Sequence, residues 1–310
     1  MGNYTRMGSN ALNVRIDVDL QRIAEAVAPC SLAGVLLGGY GRGEGTPFIN
    51  PNGSQCPFND YDLVVVVNRL NGKVRKKFQT LEKQLSAELG LPVDLCPYQL
   101  SHLRRCEFSL LNYEMKHGHK VVWGDANILA AMPDYPHNAI PLSEGSRLLL
   151  NRGKLLLDIQ QRLASPEQLS EEERIRFIKF IFKVRLAFGD CTLLTAGQYD
   201  IYYTTKKTRI PNIGTCPDRD AVIEGYLKAM ELKEWGDFHS LESFDVAAEF
   251  EAARMVFLRF LPWYRSQDPC RKHTIPSWMR ERLCIALMKL LQGRPSLPAQ
   301  LFYKLQRRFS

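Results

Sequence analysis

Three carboxylates and a run of glycines in the first hundred residues have the types and spacing for chemistry on phosphates. Asn59-Asp60-Tyr61-Asp62 stands directly before Leu63-Val64-Val65-Val66-Val67. On a strand, residues two apart point to one face, so Asp60 and Asp62 aim their carboxylates at one spot. Like charges that close repel, and a site so built suits a hard divalent cation, Mg2+ or Mn2+. The structural alternative is a strand-entry turn, with Asp60 as a cap and Asp62 in water. Asp94, in Val93-Asp94-Leu95, is a solitary carboxylate within another apolar run. Burying it alone is costly, so it either meets a cation or sits in water at a sheet edge. The last piece is Leu37-Gly38-Gly39-Tyr40-Gly41-Arg42-Gly43-Glu44-Gly45. Glycines let a backbone approach a ligand and aim N–H groups at phosphate oxygens, although such a run is also an ordinary turn. Three acids and a phosphate-cradling turn together are the apparatus of a two-metal phosphoryl or nucleotidyl transfer.

The elements that must position these residues alternate. Leu20, Ile23, Ala24 and Val27 recur at helical spacing over 19–28. Residues 32–37 read as a buried strand that runs into the glycine turn. Residues 45–59, rich in Gly, Pro and Asn, read as a long loop. The valine-rich stretch 61–67 predicts a second buried strand, and 73–89 an amphipathic helix closed by Gly90. A third strand is expected over 91–98. This pattern is an α/β domain with a mixed sheet over residues 1–140. A proline-spotted stretch, 132–141, then gives way to helical signals alone: 143–163, 170–196 with a Ser170/Glu173 capping box, 218–235, 241–260, 276–291 and 298–307. An all-α domain is therefore expected over 141–310.

The order Gly-Gly, then Asp-x-Asp entering a hydrophobic strand, then a lone Asp in a later strand, resembles the nucleotidyltransferase superfamily related to DNA polymerase β. The string Gly38-Gly39-Tyr40-Gly41-Arg42-Gly43-Glu44 is similar to that of the bacterial uridylyltransferases that modify a nitrogen regulatory protein. The resemblance covers residues 30–100. It implies that Asp60, Asp62 and Asp94 hold Mg2+ or Mn2+ and are the catalytic acids. It also implies that Gly38, Gly39 and Arg42 cradle the phosphates of a nucleoside triphosphate, ATP among them. A helical second lobe would close over the nucleotide, with Lys183 as the candidate basic residue touching phosphate. Lys183 and Asp190, seven apart on an apolar helix, also read as charges that snorkel or pair with neighbours. Many members of the superfamily have Gly-Ser where this chain has Gly38-Gly39. The segment between Glu44 and Asp60 is also longer than in the uridylyltransferases, so acceptor recognition does not carry over.

The expected reaction is transfer of a nucleoside monophosphate to a hydroxyl of an acceptor: an RNA end, a protein, or an anionic small molecule or sugar. The alternative is a catalytically idle nucleotide- or RNA-binding regulatory module. Charge supports an anionic partner. Up to residue 140 there are 14 basic and 13 acidic residues, and from 141 onward 27 and 20. From Arg254 to the end, 12 basic residues face only Asp268 and Glu281. A basic surface attracts polyanions, or merely keeps a protein soluble. The run Tyr199-Asp200-Ile201-Tyr202-Tyr203, followed by Lys206, Lys207 and Arg209, fits base stacking or a surface loop. Arg152 and Lys154 fit the same pair of readings. His117 and His119 lack the further ligand spacing of a metal site. Eight cysteines without a CxxC pair read as reduced thiols of a cytoplasmic protein. No apolar run reaches membrane-spanning length, and residues 1–10 carry no hydrophobic signal core. Oligomeric state and base preference leave no signature in the sequence.

Overall fold

A computed structural model describes residues 3–165, 167–238, 241, 243–268 and 277–294. The chain divides into two compact units. One comprises Met1–His137, Asp200–Thr204 and Glu231–Leu241; the other comprises Asn138–Tyr199, Thr205–Met230 and Glu242–Ser310.

The first unit begins with α1 (Asn10–Val27), which starts well ahead of the helix read from the sequence because Ser9 caps it, accepting from Leu12 N at 3.2 Å. There follow β1 (Ala33–Leu36), α2 (Gly38–Arg42), the hairpin β2 (Pro47–Ile49) and β3 (Gln55–Pro57), β4 (Tyr61–Val67), α3 (Gly72–Leu89) and β5 (Val93–Gln99). The short helices α4 (Leu100–Leu103) and α5 (Leu110–His117) lead to β6 (Lys120–Trp123). Four strands form one sheet in the order β5-β4-β1-β6. β4 and β5 are parallel, while β1 is antiparallel to both β4 and β6. The sheet is mixed, as the alternating pattern implies.

Leu63, Val65 and Val67 of β4 join Val93 and Leu95 of β5 in one core with Leu12, Ile16, Leu20 and Ile23 of α1 and Phe78 and Leu85 of α3. On the other side of β4, Val64 and Val66 are buried as well. A strand covered on both faces reads as an unbroken valine run, and Asp62 is its one exposed residue. β5 is an outer strand of the sheet. Side chains from α3 occupy two of its N–H groups: Leu95 N donates to Glu82 Oε1 at 2.8 Å and Val93 N to Ser86 Oγ at 2.9 Å. Edge protection of this kind blocks pairing with another chain.

The stretch 45–59 contains the β2–β3 hairpin rather than a plain loop. Its Phe48 and the following Phe58 pack with Phe238, with ring centroids 4.4–6.0 Å apart. That aromatic cover comes from the returning segment Glu231–Leu241, so nothing local announces the strands.

The second unit, among the described residues, is built of helices: α6 (Leu142–Leu163), α7 (Glu171–Thr195), most of α8 (Tyr203–Arg209) and of α9 (Arg219–Trp235), α10 (Val246–Ser266) and α11 (Ser277–Leu291). α7 opens with the Ser170/Glu173 capping box and is buried all round from Gly189 to Leu194. α6 and α10 pack against it. α10 continues past Pro262, where the sequence suggested an end. The helix expected over 298–307 lies outside the described residues. Among those residues no helix is long and apolar enough to cross a membrane.

Candidate functional site

Asp62 stands directly beside Asp94 in the parallel register of β4 and β5. Neighbours across a ladder point to the same face. Their flanking residues Tyr61, Leu63, Val93 and Leu95 are buried in the core on the opposite face, and both aspartates are exposed. Asp60, two residues before Asp62, is half-buried. Although Asp94 reaches solvent, partial desolvation of its carboxyl by neighbouring atoms raises its pKa above the usual carboxylate range, and the negative charge of Asp60 raises it further. The fold thus sets Asp62 beside Asp94 and leaves Asp60 close enough for its charge to be felt at Asp94.

The glycine turn is fastened to the same place. Leu37 N donates to Asp62 O at 2.8 Å, so the turn leaves β1 alongside the start of β4. Gly38 has φ +64°, and a Cβ built there would lie 2.9 Å from Asp62 Oδ2. Only glycine adopts this backbone freely while letting the carboxylate approach. At Gly39 a Cβ would meet the Glu44 carbonyl oxygen at 3.1 Å.

Tyr40 holds the segment ahead of Asp60. Its buried hydroxyl accepts from Phe58 N at 2.9 Å and Asn59 N at 3.1 Å. Asn59 Oδ1 in turn accepts from Thr46 N at 2.7 Å. The Tyr40 ring packs on Tyr61, whose hydroxyl donates to Asp19 Oδ2 at 2.8 Å. Arg15 Nε also donates to Asp19, at 2.8 Å. Burial drives the pKa of both tyrosines upward, so both hydroxyls stay protonated. Sequence reasoning missed Tyr40, Tyr61 and Asp19. The one available signal was a bulky tyrosine set among glycines.

No protein-family model matches this chain, and no curated protein matches it. Its site is therefore read from its own donor chemistry. Carboxylate oxygens from Asp60, Asp62 and Asp94 are the ligands that hard divalent cations take. Among the described residues no three His, Cys, Asp or Glu side chains are grouped closely enough to hold a metal ion. The fit rests on donor type, strand register and the crowding of Asp94 by Asp60.

Other candidates lie elsewhere. Arg42 is 6% exposed, with Nη1 3.4 Å from Glu114 Oε2 and Nε 3.9 Å from Glu44 Oε2. A buried guanidinium needs such partners. Here those contacts brace the turn. Buried Glu44 accepts from Tyr203 N at 3.0 Å and Thr204 N at 3.1 Å, which ties Asp200–Thr204 into the first unit.

Lys183 is half-buried on α7 in the second unit. Asp190 on that helix is held by Lys206 Nζ at 2.9 Å and by the Tyr226 hydroxyl at 3.1 Å. Lys206 is 1% exposed and lies over the Tyr199 ring at 4.6 Å. The aromatic and basic stretch is thus partly interior: Tyr199 and Lys206 are buried and Tyr202 is exposed. His117 packs on Tyr113, and burial lowers the pKa of both His117 and His119. In the basic terminal region Arg254 pairs with Glu251, Arg259 with Asp218 and Arg265 with Glu281. Arg271, Lys272, Lys304, Arg307 and Arg308 lie outside the described residues.

Proposed function

We propose that this chain is a metal-dependent nucleotidyltransferase that moves a nucleoside monophosphate from a nucleoside triphosphate to an acceptor hydroxyl. The observation that carries this reading is the register that sets Asp62 beside Asp94, with Gly38 against Asp62. Asp60, Asp62 and Asp94 would hold Mg2+ or Mn2+. A divalent cation bound there neutralises charge on the oxygens that enter and leave phosphorus. Gly38 and Gly39 offer backbone to the β- and γ-phosphates. Asp94 takes the proton of the acceptor hydroxyl, a task suited to a carboxylate whose pKa burial has raised. The acceptor oxygen bonds to the α-phosphorus in line, the bond to the bridging oxygen breaks, and pyrophosphate leaves with the electron pair.

The test is incubation of the full chain with each labelled nucleoside triphosphate, Mg2+ and a lysate of the source cells. Label entering an acceptor, with pyrophosphate released and both lost in Asp62→Asn, is the expected result. Metal-dependent nucleotide binding with no transfer would favour an idle regulatory module. Absence of binding would overturn both.

A further inference from the structure

A pocket of about 260 Å³ opens on β5 at Asp94 and Cys96, and Arg75, Gln79 and Glu82 of α3 complete its wall. The three helix residues are spaced i, i+4, i+7, so they form one stripe facing the strand. Glu82 is committed to the Leu95 N–H. Arg75 makes no hydrogen bond or ion pair through its side chain with a described residue, yet its charge is felt at the Cys96 thiol. The pocket therefore offers a proton acceptor at one place and an uncommitted guanidinium at another.

Resting on the transferase reading, we infer that this pocket is the acceptor site and takes a small polyol bearing an anionic group. Arg75 grips the anion while a hydroxyl lies at Asp94. A guanidinium binds phosphate or carboxylate in a planar, two-pronged way and repels a polycationic acceptor. The volume is just below the roughly 300 Å³ at which pockets for drug-sized ligands begin, which suits one sugar-sized molecule. Among the described residues no aromatic side chain lines the pocket, so those residues give no stacking platform on which a single-stranded nucleic acid would lie. In the transfer, the hydroxyl proton passes to Asp94, the acceptor oxygen bonds to the α-phosphorus and pyrophosphate departs.

Cys96 makes the inference testable without turnover, because it is the one exposed cysteine among those described. The rate of its alkylation by iodoacetamide, followed by peptide mass mapping of the full chain, is measured with and without each probe. The probes are glucose 6-phosphate, glycerol 3-phosphate and gluconate, beside uncharged glucose and glycerol. At least one anionic probe should protect Cys96 at concentrations about tenfold lower than its uncharged counterpart, the discrimination one charge-assisted contact supplies. The phosphate and gluconate arms tell which anion is preferred. Arg75→Gln should erase that difference, judged by the ratio within each variant, and leave Mg2+-dependent nucleotide affinity unchanged. Protection by no anionic probe, equal protection by uncharged ones, or full protection in Arg75→Gln would each overturn the assignment. Nucleotide transfer without any protection sinks the pocket alone. Protection without nucleotide binding keeps the anionic-polyol site and sinks the transferase reading.

Discussion

Asp94 and Asp190 are the same side chain placed in opposite surroundings. On β5 the Asp94 carboxylate, though it reaches solvent, meets partial desolvation and the charge of Asp60, both of which push its pKa up. On α7 Asp190 meets the Lys206 ammonium at 2.9 Å and the Tyr226 hydroxyl at 3.1 Å. The second unit answers its buried negative charge from within, with one lysine and one tyrosine. At the first unit's site the fold gathers negative charges instead. A folded chain tolerates that crowding at a cost, which a bound cation would relieve. The contrast separates an aspartate whose charge is answered within the fold from one set beside a like charge.

The sharpest way to break this comparison is to neutralise each side in turn. Asp62→Asn should lower transfer by about a thousandfold or more, on the order of 4 kcal/mol of transition-state stabilisation. Asp94→Asn should do the same to transfer while the metal-free protein melts no lower than wild type, because a crowded charge has gone. Labelled-nucleotide assays beside thermal melts check both. A collapsed melting temperature in either variant would make these aspartates structural and erase the contrast.

Lys206→Met should do the reverse and cost stability, about 3–5 kcal/mol, since it strands a buried carboxylate. Urea unfolding measures it. Pairing it with Asp190→Leu should recover most of the loss, because two apolar side chains replace two compensated charges. A single variant as stable as wild type would mean Asp190 is solvated on opening, and the two aspartates would no longer differ in kind.

The part of this contrast legible in the sequence is the local part. The two-residue period places Asp60 with Asp62, and a lone Asp in an apolar strand flags Asp94. The valine run marks β4, and Ser170 with Glu173 marks the start of α7. What escapes the sequence depends on residues far apart along the chain. Lys206 looks like one of several surface lysines until Asp190 and Tyr199 surround it. Nothing in the sequence announces that Glu44 and Glu114 stand beside Arg42. β6 is a four-residue strand identified by its partner β1, and the β2–β3 hairpin by Phe238. Tyr40 carries no catalytic signature, yet it fixes the backbone on which Asp60 is mounted.

A smaller effect is expected at the glycine turn. Gly38→Ala places a Cβ at a left-handed residue, costing about 1–2 kcal/mol, and drives it against Asp62 Oδ2. Transfer should fall further than that stability loss explains, because the displaced group is Asp62. Gly90→Ala is the control, with φ +71° and open space around its Cβ. It should lose similar stability and keep activity. Equal activity in the two variants would detach the turn from the site.

The smallest effect comes from a third carboxylate, and it sharpens the contrast by sign. Glu173, near the start of α7, accepts from Arg162 Nε at 2.8 Å and Nη2 at 2.9 Å and from Ser170 N at 3.0 Å. The Arg162 guanidinium chiefly, and the Ser170 N–H next, hold its pKa down from 4.5 to about 2. A lowered folded-state pKa means that the unfolded chain takes the proton first as pH falls. The stabilisation is therefore whole above 4.5 and drains away toward about 2. The pair reaches solvent, so the effect is slight and weakens with salt. Wild type and Glu173→Gln should differ in urea midpoint at about pH 6.5 and converge at about pH 2.5. Asp94→Asn should run the other way. A raised folded-state pKa leaves wild type at no disadvantage when the carboxyl is protonated, and its deficit against the asparagine variant opens as pH rises through that pKa. Both gaps close as pH falls, but with opposite sign: wild type is the more stable partner against Glu173→Gln and the less stable against Asp94→Asn. If the Asp94→Asn gap stayed flat with pH, or took the sign of the Glu173→Gln gap, Asp94 would be a solvated, ordinary carboxylate, and the difference between the charge that crowds and the charge that is answered would be gone.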